Sequence, residues 1–124
     1  MRIFALSDLH VDFEENWQWI QSISQLDYQC DVLIVAGDIT HQFERILEIF
    51  DTLRKRFLRV FFVPGNHDLW VRGEARNSLE KMDALRSACE KCGLDMKPDD
   101  VHSVRVVPLL SWYCRQFDPR CQGC

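Results

Sequence analysis

Three short, continuous apolar runs, each followed by a stretch with helical periodicity, constrain the fold of this chain more than any other feature. The runs are residues 3–7, 32–36 and 60–63. Short uninterrupted apolar segments are typical of strands in a parallel sheet whose two faces are both covered by helices. The alternation of strand and helix therefore predicts an α/β fold, a layered sheet flanked by helices and connected by right-handed crossovers.

The segments between these runs have apolar residues at helical spacing. They predict helices near residues 14–25, 41–57 and 76–92, and Asp12 with Glu15 resembles a capping box at the start of the first. A loop is predicted at residues 98–102, a fourth strand at 104–107 and a further extended segment at 109–113. Because the periodicity ends after Trp112, we expect one partial domain over residues 1–113 and an irregular cysteine-containing tail over 114–124.

Composition excludes several functional classes. The 124 residues include 15 Lys+Arg and 19 Asp+Glu, so the formal charge is −4, which argues against nucleic-acid or membrane-surface binding. The apolar runs are too short to span a bilayer, so no membrane partner is expected. Asp8 and His10 stand where a secretory signal needs an unbroken apolar segment, so we expect a cytoplasmic protein.

The six cysteines include two Cys-x-x-Cys pairs, Cys89/Cys92 and Cys121/Cys124, a spacing that zinc sites use. Cys89 and Cys92 continue the apolar stripe of the third predicted helix, and Gly93 follows as a helix stop, so we predict core positions for this pair. A zinc-binding interaction module built on the cysteines is a separate hypothesis, which requires four thiolates to converge.

Polar side chains follow each predicted strand of the sheet. Parallel strands place their carboxyl ends at one edge, where open α/β sheets bind their ligands. Taken singly, each segment also fits turn or capping chemistry, but the combination of carboxylate, imidazole and amide donors predicts a site for Mn, Fe or Zn. The segments are Asp8-Leu9-His10, Gly37-Asp38 and Gly65-Asn66-His67-Asp68.

These three segments resemble, in order, the signature blocks of the calcineurin-like metallophosphoesterases, and the resemblance extends to about residue 117. It implies half of that family's β-sandwich and hydrolysis of phosphomonoester or phosphodiester bonds by a metal-activated hydroxide. It also implies two divalent metal ions, with Asp8 and His10 on the first, Asp38 bridging both and Asn66 on the second.

The resemblance assigns further roles to the third strand end. It implies that His67 faces the phosphate-ester substrate, where it stabilises phosphoryl charge or protonates the leaving oxygen. Asp68 would orient and charge the His67 ring, which is the arrangement of a general acid and its carboxylate partner. Arg72, a short distance along the chain, is a candidate anion contact.

The family's later histidine motifs do not occur in this sequence. It contains no Gly-His-x-His block, and His41 and His102 lie in no matching motif. The sequence therefore leaves open whether two metal ions are held or only one. A missing second half would also leave one apolar sheet face uncovered and able to self-associate. Besides the enzyme, a truncated non-catalytic remnant with weak metal binding or an interaction role is the alternative function.

Overall fold

The computed structural model describes residues 1–73 and 75–111. Its order is β1 (Ile3–Leu6), α1 (Glu14–Ser22), β2 (Val32–Ala36), α2 (Phe43–Arg54), β3 (Arg59–Val63), a 3₁₀ turn (His67–Leu69), α3 (Ser78–Cys92), β4 (Asp99–Val101) and β5 (Val104–Val106). The α/β prediction is confirmed, and the predicted tail over 114–124 lies outside the described residues. None of the described helices is both long and apolar enough to cross a membrane.

The first three strands form a parallel sheet in the order β1-β2-β3. Because each strand is added on the same side of the previous one, right-handed crossovers place successive helices on one face. All three helices pack there, over a core that includes Leu33 of β2 and Phe62 of β3. The prediction that helices would cover both faces of the sheet is therefore wrong.

Among residues 1–73 and 75–111, a second apolar cluster covers one end of the opposite face of the sheet. β4 and β5 form an antiparallel hairpin of their own, and its Val101 and Val106 pack on Val32 and Phe61. Within the described part of the chain, Ile3 and Ala36 on the same face stay exposed. An apolar area of this face around these two residues is therefore left exposed in the described part of the chain.

Two local predictions fail. Residues 98–102 contain strand β4 rather than a loop, and His102, with φ of +54°, turns the chain back into β5. Asp12 does not cap α1, which begins after Phe13 without a side-chain cap. The Asp12 carboxylate instead accepts a hydrogen bond from Thr40 Oγ1, in the loop after β2, at 2.6 Å.

The first cysteine pair lies in the core, as predicted. Cys89 is buried against the helix-covered face of the sheet, and Cys92 packs against the same cluster. Burial raises the pKa of the Cys89 thiol to about 12, which keeps it protonated at neutral pH, as expected of a core cysteine. The pair at Cys121 and Cys124 lies outside the described residues.

Candidate metal centre

The carboxyl ends of β1 and β2 bring three potential metal ligands together. Asp8 and His10 follow β1, and Asp38 follows β2. One ligand atom from each lies within 4.8 Å of the other two, and no other described group of His, Cys, Asp or Glu residues does the same. His10 Nε2 is 3.8 Å from Asp8 Oδ1. The structure thus brings together three of the four residues that the resemblance implies as ligands.

All three of these residues have left-handed backbone. Their φ angles are +54° at Asp8, +41° at His10 and +55° at Asp38. This conformation costs a non-glycine residue about 1–2 kcal/mol, so the surrounding structure has to enforce it. Hydrogen bonds do so, since the Asp8 N–H donates to the Gly37 carbonyl at 3.1 Å and the His10 N–H to the Asp38 carbonyl at 3.0 Å. The first two strand ends are therefore joined beyond the sheet.

Two glycines allow the loops after β2 and β3 to touch. A Cβ atom on Gly37 would lie 2.2 Å from the backbone nitrogen of Gly65, and one on Gly65 would lie 2.1 Å from Asp38 Oδ1. The same Oδ1 accepts the backbone N–H of His67 at 3.0 Å. The third strand end is therefore packed directly against the Asp38 carboxylate.

Asp68 is a buried anchor for these loops. Its side chain, 0% exposed, accepts four backbone N–H groups, and no hydrogen bond joins it to the His67 ring within the described chain. Burial raises the pKa of Asp68, while the four hydrogen bonds act in the opposite direction. Asp68 therefore positions backbone, and the ring-orienting role that the resemblance implies stays a prediction. The four donors are Asp38, Ile39, Thr40 and Gly65, at 2.8, 2.8, 3.2 and 2.9 Å.

The His67 imidazole lies between two other rings. It stacks on Trp70 with the ring centroids 3.7 Å apart and the planes at 29°, and it meets the His10 ring edge-on at 4.8 Å. Trp70 and His10 are therefore the ring contacts of the imidazole among the described residues. The Arg72 guanidinium carbon lies 5.8 Å from the centroid of the Trp70 ring, which places Arg72 beside this stack. Its contact with substrate stays a prediction.

Asn66, the fourth implied metal ligand, stands next to the Asp38 carboxylate along the chain. It lies between Gly65 and His67, both of which contact that carboxylate. Its side chain is exposed at the edge of the site. The backbone therefore places Asn66 beside the ligand group, and its metal contact stays a prediction.

Lys81 is a supporting residue that the sequence analysis missed. Although charged, it is 1% exposed, and its Nζ donates hydrogen bonds to the carbonyls of His41 and Trp70, the latter at 2.6 Å. It thereby ties α3 to the loop that carries the Trp70–His67 stack. The available signal was its position one helical turn before the buried Leu85, on the apolar stripe of α3.

The donor set suits a divalent cation. Two carboxylates and one imidazole are hard and borderline ligands that bind Mn, Fe or Zn. The Asp8 side chain is 67% exposed and that of His10 is partly exposed, so an ion can reach them from solvent. Asp8, His10 and Asp38 are therefore a possible ligand group for a divalent metal.

Comparison with known proteins identifies the family. The model of the calcineurin-like phosphoesterases matches residues 1–111. [Acyl-carrier-protein] phosphodiesterase PptH of Mycobacterium tuberculosis is 34% identical over 94% of this chain, and the match spans 39% of that relative's length. The crystal structure of phosphopantetheinyl hydrolase PptH from the same organism matches with a TM-score of 0.75 and 30% identity, over 87% of this chain and 42% of that one. The chain belongs to the calcineurin-like phosphoesterase family, whose members depend on divalent metals.

Proposed function

We propose that this chain carries a metal centre for hydrolysis of phosphomonoester or phosphodiester bonds. The observation that carries the proposal is the convergence of Asp8, His10 and Asp38 from two separate strand ends. The relative from M. tuberculosis is named as a phosphodiesterase of acyl carrier protein. We extend that class to this chain and propose a phosphodiester whose phosphate joins a carrier protein to an organic arm.

In this proposal, Asp8, His10 and Asp38 hold one divalent ion of Mn, Fe or Zn, and Asp38 with Asn66 holds a second. Such ions, when bound, lower the pKa of water and neutralise the charge of phosphoryl oxygens. The left-handed backbone of the first three residues supports their role, because strain of this kind clusters at binding sites. Binding of a single ion is the alternative, since Asp38 and Asn66 provide few ligands.

The remaining residues act on the substrate or on one another. We propose that the His67 ring N–H donates to a phosphoryl oxygen or gives its proton to the leaving ester oxygen. Trp70 orients that ring by stacking on it. Asp68 holds the backbone around Asp38 in place, and Arg72 adds positive charge beside the Trp70 ring.

Metal binding and hydrolysis test this function together. Mn²⁺ is titrated into the metal-free chain by calorimetry, and cleavage of bis(p-nitrophenyl) phosphate is then followed with the metal present. Asp38→Asn should weaken Mn²⁺ binding at least tenfold, about 1.4 kcal/mol, because a neutral amide replaces the shared carboxylate. Hydrolysis should fall in parallel.

Asp51→Asn is the matched control, since it removes an exposed carboxylate that pairs with Lys55 on α2, outside the ligand group. It should bind Mn²⁺ as the parent does. Unchanged Mn²⁺ affinity and hydrolysis in Asp38→Asn would overturn the proposal.

The uncovered sheet face supports a second candidate, a non-catalytic chain that associates with another copy of itself. Ile3 and Ala36 are exposed on this face in the described part of the chain, and apolar surface of this kind favours association. Sedimentation of the same samples separates the two candidates. A concentration-dependent dimer that binds no Mn²⁺ favours the non-catalytic chain, whereas Mn²⁺ binding with hydrolysis favours the enzyme.

A further inference from the structure

A groove of about 590 Å³ lies between the metal centre and the first turns of α3. Its volume is within the range of small-molecule sites, about 300–1,000 Å³. One end is formed by Asn66 and Trp70, and the other reaches Arg86 on α3. Its main lining residues are Asn66, Leu69, Trp70, Leu79, Met82 and Leu110.

The walls of the groove are apolar and open to solvent. Leu79 is 78% exposed, Leu110 is 51% exposed and Trp70 is 41% exposed, while Leu69 and Met82 form a buried floor. Single exposed apolar side chains are ordinary, but several around one concave surface mark a binding site. Ligand atoms that displace water from these walls gain hydrophobic stabilisation.

The charges at the groove's far end compensate each other. Asp83 Oδ1 and Arg86 Nη1 are 3.2 Å apart on the exposed side of α3. Since these opposite charges neutralise one another, the groove has no local excess of charge with which to select an ionic group. Its chemistry therefore fits an uncharged ligand.

The groove adjoins the proposed metal centre at two residues. Asn66 is a proposed metal ligand, and Trp70 stacks on His67, the proposed acid. An ester substituent that extends from a phosphate at the proposed metal centre past Trp70 therefore enters the groove. From Leu79 to Arg86, α3 advances by about 10 Å at 1.5 Å per residue, which is room for an extended arm.

We infer that this groove binds the uncharged, extended organic arm of the phosphate ester whose phosphate occupies the metal centre. The inference rests on the proposed function for the identity of the phosphate site. It adds that the chain selects esters by the length and apolar character of the arm, with Leu79, Met82 and Trp70 as the selecting residues.

Two phosphate esters that differ only in the arm test the inference. Methyl phosphate and octyl phosphate are titrated into the full chain carrying ¹³C-methyl methionine, with and without Zn²⁺. Met82 reports on the groove floor, and Met96, which lies elsewhere, is the internal control. Octyl phosphate should bind at least tenfold more tightly than methyl phosphate and shift the Met82 signal while leaving Met96 unchanged.

A matched pair of variants locates the effect. Leu79→Ser should weaken octyl phosphate binding about tenfold and leave methyl phosphate binding unchanged, because only the longer arm reaches that side chain. The control for this variant is a substitution at Leu26. Leu79 and Leu26 are both largely exposed, so neither substitution disturbs the core. Leu26→Ser removes a leucine that is 81% exposed outside the groove, and it should bind both esters as the parent does.

The outcomes separate this inference from the proposed function. If octyl phosphate shifts the Met82 signal but the chain does not bind Zn²⁺, the result supports binding of the arm in the groove. It then counts only against the proposed metal chemistry. Equal affinity for the two esters, an equal loss in Leu79→Ser and Leu26→Ser, or a shift of Met96 in place of Met82 would overturn the groove. The last result would indicate binding of the arm at another apolar surface.

Discussion

The candidate metal centre contains two groups of residues that differ in burial and in hydrogen bonding. One group faces solvent, and the other holds the first in place. We call Asp8, His10, Asp38, Asn66 and His67 the presenting group, and Gly37, Gly65, Asp68 and Lys81 the supporting group. The presenting side chains are exposed or half-buried, and three of them have left-handed backbone. The two charged supporting side chains are buried and hydrogen-bonded to backbone groups.

This difference shows that one sequence block can contain both kinds of residue. His67 and Asp68 are neighbours along the chain, yet one faces the open site and the other lies beneath it. Changes in the supporting group should therefore lower the free energy of unfolding. Changes at the exposed proposed ligands Asp8 and Asn66 should reduce metal affinity and leave that free energy nearly unchanged. The Asp38 carboxylate also accepts the His67 N–H and therefore contributes to both.

Gly37→Ala should have the largest effect on stability. The new Cβ would lie 2.2 Å from the backbone nitrogen of Gly65, and the residue would keep a φ of +73°. Steric overlap and left-handed strain together should lower the free energy of unfolding by about 4 kcal/mol. Urea unfolding followed by circular dichroism measures this change.

Gly93→Ala is the control for backbone strain alone. Its φ of +74° is nearly the same, but the nearest atom to its new Cβ is the Arg54 side chain at 3.4 Å. Without the overlap, the loss should be about 1 kcal/mol. Equal losses in the two variants would show that the contact between Gly37 and Gly65 does not support the site.

Asp68→Asn should rank second. In the parent chain, four backbone N–H groups donate to the Asp68 carboxylate. The Asn side chain has an NH₂ donor in place of one carboxylate oxygen, so at least one of these buried hydrogen bonds is lost. Breaking a buried, charge-assisted network of this kind costs about 3 kcal/mol. Urea unfolding gives the loss, and exposed Asp51→Asn should change stability by less than about 0.5 kcal/mol.

The same variant discriminates between the two roles of Asp68. The supporting role predicts lower stability together with weaker Mn²⁺ binding, because the loop that carries Asp38 loses its anchor. A variant with parent stability and altered NMR signals of the His67 ring alone would instead favour the ring-orienting role that the resemblance implies.

The strands and their polar ends could be predicted because each leaves a local mark in the sequence. Uninterrupted apolar runs indicate parallel strands, and the edge of a parallel sheet brings together the residues that follow them. The order of the strands leaves no such mark. The coverage of one face by all three helices follows from that order, so it became visible only in the structure.

The hydrogen-bond and ion-pair partners of individual polar residues could not be predicted from the sequence either. Asp68 is bonded to N–H groups about thirty positions earlier, and nothing in a stretch of letters distinguishes an inward carboxylate from an outward one. Strand β4 begins with Asp99 and Asp100 and has no apolar pattern, so it forms through pairing with β5 and an ion pair from Arg59 to Asp99. In both cases, contacts with residues distant along the chain determine the local structure.

Asp8→Asn should have the smallest effect on stability and is the sharpest test of the presenting group. The side chain is 67% exposed, and Asn tolerates left-handed backbone as well as Asp does, so the hydrogen bond to the Gly37 carbonyl can persist. Without metal, the free energy of unfolding should change by less than about 0.5 kcal/mol.

Adding Mn²⁺ should then separate this variant from the parent. A ligand at a hundred times its dissociation constant stabilises the folded state by about 2.7 kcal/mol, so the parent should gain this amount in urea unfolding. Asp8→Asn should gain much less, since a neutral amide replaces one of the two carboxylates of the ligand group. A metal-free loss as large as that of Asp68→Asn would contradict the division into two groups, because Asp8 would then support the fold as well as bind the ion.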